Sequence, residues 1–198
     1  MQARTPPSRV AWLVLAYRLP ASHGLKTTIR RRLTAIGAVY PANAVAALPA
    51  SPAAERAFRR LRSTIGEAGG SAQVLRATAI EGEPDLVAVY NAAREQEYEE
   101  IIADCGEVVA GIRTMTVSGR FSYADLGEKD AEVRRLSMRN DGIRARDAFG
   151  ADNAEAAVSS LARCRIVLDD FAGHVYKKDV VSITRIVPSQ GHPERLGS

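Results

Sequence analysis

From Val87 to Ile112 one helical face runs without a break: Val87, Asn91, Arg94, Tyr98, Ile101, Cys105, Val108 and Ile112, alternately four and three residues apart. A face that regular packs against something. Yet its first half carries an amide, a guanidinium and a phenol where its second half carries Ile, Cys and Val. A guanidinium taken out of water needs a carboxylate, a bound anion or several carbonyl groups, because an unpaired buried charge costs several kcal/mol. Any fold of this chain must therefore bring acceptors to Arg94. Glu95 and Glu97 are close in sequence, and the segment IRARDAF at 143–149 offers Arg144, Arg146 and Asp147. A helix near 131–148 sets Ile143 and Asp147 one turn apart, which would turn Asp147 inward. Two readings follow. An Arg94–Asp147 or Arg146–Glu97 pair fixes helix register, or Asn91, Arg94, Glu97, Tyr98, Arg144, Arg146 and Asp147 form a polar pocket for a small anion.

The segment before this helix has a different period. RVAWLVLAYRL, 9–19, is apolar on both faces and reads as a central strand. A helix follows, with Ser22 as N-cap, a stripe of Leu25, Ile29, Leu33 and Ile36, and Gly37 as its stop. Pro41 splits AVYPANAVAALP into two short strands around a turn at Pro41–Asn43. Ser51 and Pro52 open a second helix with Ala54, Phe58, Leu61 and Ile65 inward; a double glycine ends it, and SAQVLRATAI is a last strand. The fold class is α+β: a ferredoxin-like βαββαβ domain over 9–82, then a bundle of about three helices over 83–180. Its helices are expected at 85–113, near 131–148 and at 153–177, the last with Ala157, Leu161, Cys164, Leu168, Phe171 and Val175 on one face. The stretch MTVSGRFSYADLGEKD reads as a loop, VVSITRIV at 180–187 as an edge strand within a loose 181–198 tail. An exposed edge at 43–48 or 180–187 is compatible with a homodimer.

Charge is distributed unevenly. Residues 1–80 hold 12 Lys and Arg against 2 Asp and Glu, whereas residues 81–132 hold 4 against 13. Such asymmetry suits either a nucleic-acid face or electrostatic docking of one half on the other. The basic candidates are Lys26, Arg30, Arg31 and Arg32 on the first helix and Arg59 and Arg60 on the second, spaced to track a phosphate backbone. No helix-turn-helix, zinc finger or aromatic RNA-binding signature accompanies them. Two distant cysteines and three scattered histidines make no metal or disulfide pattern, and no phosphate loop or nucleophile elbow is present, so neither cofactor nor metal is expected. Without an apolar run of spanning length or a signal peptide, the expected setting is cytoplasmic and off the membrane.

Several segments together resemble the N-terminal domain of the chromate-resistance regulatory protein family ChrB: WLVLAYRLP, RRRLTAIGAVYPANAVAALP, NAAREQEYEEI, GRFSYADL, IRARDAF and the closing VY, from about residue 11 to 177. The first 80 residues are also similar in layout to the ferredoxin-like domain of PaaX-type repressors and of CRISPR spacer-acquisition proteins. The resemblance implies a role in chromate-responsive transcriptional control, with the Asn91/Arg94/Glu97/Tyr98 and Arg144/Arg146/Asp147 positions as motif residues. PaaX repressors read DNA with a winged helix, for which no segment qualifies here. Nucleases of that layout place an Asp near the end of the first strand; this strand ends AYRLP, with Arg18 there, so metal-dependent nuclease activity is not expected.

The expected function is thus a regulator that binds DNA through its basic helices and an oxyanion such as chromate through an Arg-containing patch. The alternative is an enzyme, or an enzyme's partner, using the Asn/Arg/Tyr/Asp cluster on a small anionic or nucleotide-bearing substrate, with RNA docked on the basic helices.

Overall fold

The structure is a computed structural model and describes residues 10–21 and 23–186. In chain order it holds β1 (Ala11–Arg18), α1 (His23–Ala35), β2 (Val39–Ala42), β3 (Val45–Pro49), α2 (Pro52–Glu67), β4 (Ser71–Thr78), α3 (Glu83–Val117), α4 (Tyr123–Arg144) and α5 (Ala154–Ile186). The α+β plan is as expected: one antiparallel sheet with two helices threaded through it, then three helices.

The sheet order is β2-β3-β1-β4, and β1 pairs antiparallel with both neighbours, Leu15 opposite Ala46 on one side and Val74 on the other. β1 and β2 are therefore parallel to each other across β3, and β3 and β4 across β1. Each pair is joined by a helix, and right-handed crossovers in both put α1 and α2 on one face of the sheet. Leu13 and Leu15 of β1 join Ile29, Leu33, Phe58, Leu61 and Ile65 in a single buried core. Successive strand residues point to opposite faces, so the burial of Trp12 beside Leu13 means that the second face is covered as well. Its cover is Tyr90 of α3, edge-on at 6.0 Å between ring centroids, and Phe149, at 5.8 Å.

The chain divides into two compact units. The first runs up to Glu99 and takes in Asp141–Glu155, so the start of α3 and the segment after α4 belong with the sheet. The second comprises Glu100–Asn140 and the residues from Ala156 onward. Its core is the α3 stripe of Ile101, Cys105, Val108 and Ile112, with Val133 and Leu136 of α4 and the full α5 face of Ala157, Leu161, Cys164, Leu168, Phe171 and Val175. Arg139 binds Glu100 and Asp104, and the Cys164 thiol donates to the Cys105 carbonyl at 3.3 Å. Burial pushes the Cys105 thiol up to about 12, which makes it an inert core group. No helix among the described residues is long and apolar enough to cross a membrane.

Several local expectations are corrected. The β2–β3 turn sits at Asn43–Ala44, with Ala42 opposite Val45 and Ala44 at φ 58°, rather than at Pro41–Asn43. Segment 43–48 is not an edge, because β3 pairs on both sides; Pro41 lies in edge strand β2, where its missing N–H costs nothing. The loop expected over 115–130 shrinks to 118–122. Ser122 accepts from the Asp125 amide at 3.1 Å and donates to its carboxylate at 2.7 Å, which starts α4 at Tyr123. Residues 180–186, expected as a strand, continue α5, since the strand preference of a β-branched run is weak against an already propagating helix. The Ser22 cap and the 187–198 tail lie outside the described residues. Because Phe58 is fully buried at the centre of the sheet core, Phe58→Ala is expected to cost ~3–5 kcal/mol, read as a lower midpoint in urea unfolding.

Candidate functional site

The acceptors that Arg94 requires come from two parts of the first unit, the end of α1 and the next turn of α3. α1 ends in a Schellman turn: Gly37, at φ +77°, donates its N–H to the Thr34 carbonyl, and Ala38 to that of Leu33. The outward Gly37 carbonyl then accepts from Arg94 Nη1 at 3.0 Å. Glycine is required here twice over. The backbone is left-handed, and a Cβ would lie 2.6 Å from Arg146 Cδ and 2.7 Å from Arg94 Nη1.

Glu97, one turn along α3, bridges two guanidiniums: its Oε2 accepts from Arg94 Nε at 2.7 Å and its Oε1 from Arg146 Nη2 at 2.9 Å. The Arg94 guanidinium also sits over the Tyr90 ring, 4.8 Å from its centroid. Tyr90 in turn donates its hydroxyl to the Arg146 carbonyl. Arg146 caps the end of α4 through Nη1 on the Gly142 carbonyl at 2.8 Å, while its buried Nε has no acceptor.

Asp147 is not on a helix, because α4 stops at Arg144. Its carboxylate accepts from the amides of Gly150 at 3.0 Å and Ala151 at 3.1 Å, closing the turn that carries it. The third donor is the Tyr98 hydroxyl, at 3.2 Å. Burial, then the Asp147 charge, pushes the Tyr98 phenol up to about 12. Of the two expected pairs, Arg146–Glu97 forms; Arg94 takes Glu97 in place of Asp147. Asn91 is half-buried and its Oδ1 accepts no hydrogen bond. Arg144 is exposed, close enough for its charge to act on the Tyr98 phenol.

Chemically the cluster is closed on its Arg94 side. Both oxygens of Glu97 are taken, Asp147 is triply engaged, and a phenol near 12 is no base at neutral pH. It opens on one side, into a groove of about 390 Å³ whose lining includes Arg146, Asp147, Tyr90, Arg60 and the start of α2 at Ser51 and Ala53. Tyr90 and Gly37 escaped the sequence reading. The first lay one turn before Arg94 beside the stripe, and the second counted only as a helix stop.

The basic helices present their charges outward. Lys26, Arg30, Arg31 and Arg32 are all exposed along α1. Arg32 reaches Thr64 at 3.2 Å, and Arg30 lies 5.8 Å from the Tyr40 ring centroid. On α2, Arg59 is paired with Glu55 at 2.6 Å. Among the described residues, no carboxylate pairs with Lys26, Arg30, Arg31 or Arg60.

Glu97→Gln removes the only carboxylate on the buried Arg94, and a loss of about 3–5 kcal/mol in urea unfolding is expected. The Tyr98 phenol holds its proton to higher pH folded than unfolded, so its contribution is intact below pH ~10 and is lost as pH rises toward 12. Tyr98→Phe is therefore expected to lose less stability than the parent between pH 9 and 11, measured by urea unfolding at each pH.

A family model described as Protein ChrB, N-terminal, matches residues 26–181, most of the chain. No curated protein and no solved structure matches. The chain belongs to the ChrB N-terminal family, a chromate-resistance regulatory family.

Proposed function

We propose that this member of the ChrB N-terminal family is a chromate-responsive transcriptional regulator whose first unit holds DNA by its phosphates and carries the oxyanion site. One observation carries the DNA reading: Lys26, Arg30 and Arg31 stand exposed along α1 with no carboxylate partner among the described residues, in a stretch of 12 basic and 2 acidic residues. Exposed cations that are not spent on ion pairs are the ones that can displace counterions from a phosphate backbone. Arg32 and Arg59, already engaged by Thr64 and Glu55, contribute less.

The oxyanion belongs at the groove beside the start of α2. Arg146 and Arg60 supply two cations there, and the Ser51 hydroxyl keeps its proton for donation because its oxygen accepts from Ala54 at 3.1 Å. At the start of α2 Pro52 has no N–H and the Ala54 amide is capped by Ser51, which leaves the Ala53 amide for an anion. In this reading Arg94, Glu97, Tyr98 and Asp147 position Arg146 rather than touch the ligand. Asp147 does not repel it strongly, its oxygens being covered by three donors.

The test is fluorescence anisotropy on the upstream DNA as a function of salt, with and without chromate. Replacing Lys26, Arg30 and Arg31 together by Ala is expected to reduce the slope of log affinity against log salt by about three. Chromate is expected to release DNA from the parent chain but not from Arg60→Ala, whose side chain is exposed and outside the core. Unchanged anisotropy at low salt overturns the regulator; release of Arg60→Ala by chromate moves the anion elsewhere.

A further inference from the structure

We infer that a second groove in the first unit, at the β2–β3 turn, is a binding site for one unstacked nucleotide. The groove measures about 550 Å³, within the size range of small-ligand sites. Its walls come from four elements. Arg18 and Tyr17 end β1, Lys26 and Arg30 face it from α1, Tyr40 comes from β2, and Asn43 sits at the turn. The turn is tied to β1 by the Tyr17 amide on the Ala44 carbonyl at 2.9 Å.

Three cations and no carboxylate line this groove. That alone describes a phosphate site. The rings add the second half of the argument. Tyr17 and Tyr40 are both half-buried on the groove lining, with the Arg30 guanidinium 5.8 Å from the Tyr40 centroid. Burial raises both phenols, so they stay neutral; the Tyr40 hydroxyl donates to the Arg30 carbonyl at 3.5 Å, which leaves that of Tyr17 to donate. A stacked duplex keeps its bases away from such rings, whereas a base turned out of the stack finds an aromatic face and a guanidinium plane. Asn43, exposed at the turn, offers an amide to a base edge. The pairing of π-faces with unspent cations therefore fits base plus phosphate better than phosphate alone.

This site deepens the DNA reading and rests on it only for the source of the nucleotide, an unpaired position in a strand; a free nucleotide has the same chemistry. The test compares the full chain with Tyr40→Leu and Arg31→Ala on a short single strand, its duplex and free adenosine monophosphate at equal salt. Tyr40→Leu is expected to weaken single-strand binding roughly tenfold, within the range for one stacked base, and to leave duplex binding within about twofold. Arg31→Ala, outside this groove, is expected to weaken both alike. Should Tyr40→Leu misfold, photocrosslinking of the parent chain to a bromouracil strand is read instead, with adducts expected at Tyr17 or Tyr40. Equal losses on single strand and duplex, or adducts only outside the groove, overturn the inference. If neither DNA form binds but the free nucleotide does, and Tyr40→Leu abolishes it, the DNA reading falls and this site stands.

Discussion

Among the described residues Arg94 is the only charged side chain that is buried, and the way it is satisfied ties three distant stretches of chain together. The end of α1 lends a carbonyl, α3 lends Glu97 and the face of Tyr90, and the segment after α4 lends Arg146 to share that carboxylate. Each contact depends on the others. Gly37 must lack a side chain for the guanidiniums to approach, and Glu97 must face two cations to neutralise either. A set of this kind adds little net stability over a well-packed apolar one, but it punishes any other arrangement of the same elements. It works as a register pin for the first unit.

On the proposed reading the same pin has a functional consequence. Fixing Arg146 by its carbonyl, one guanidinium nitrogen on Glu97 and another on Gly142 leaves a preorganised cation at the wall of a groove that Arg60 also lines. An anion entering there meets a guanidinium that need not be ordered on binding. The basic charge of α1 is the reverse case: it is exposed on long side chains, and on the proposed reading it serves nonspecific phosphate contact. One unit thus holds both a pinned and an exposed form of positive charge.

Much of this was legible beforehand, and the reason is periodicity. The α3 stripe from Arg94 to Ile112 and the whole α5 stripe are buried as their spacing requires, and of the two ion pairs that the sequence offered, Arg146–Glu97 forms. Segment ends were less legible. Two glycines and polar residues made 115–130 look like a loop, while a single serine with Asp three residues on was enough to start α4. Asp147 looked helical because it lies one turn after Ile143, yet its own carboxylate closes a turn against Gly150 and Ala151.

By itself, then, the sequence determined the alternation of strand and helix, which faces are apolar, and that one guanidinium must find acceptors, because these are local or stoichiometric properties of the chain. Only the tertiary structure decided which acceptors serve. The Gly37 carbonyl on Arg94, the Tyr90 hydroxyl on the Arg146 carbonyl and the cover of Trp12 by Phe149 join residues dozens of positions apart. No local pattern encodes such partners, since they depend on how elements cross, and crossing is set by the packing of whole faces rather than by any one residue.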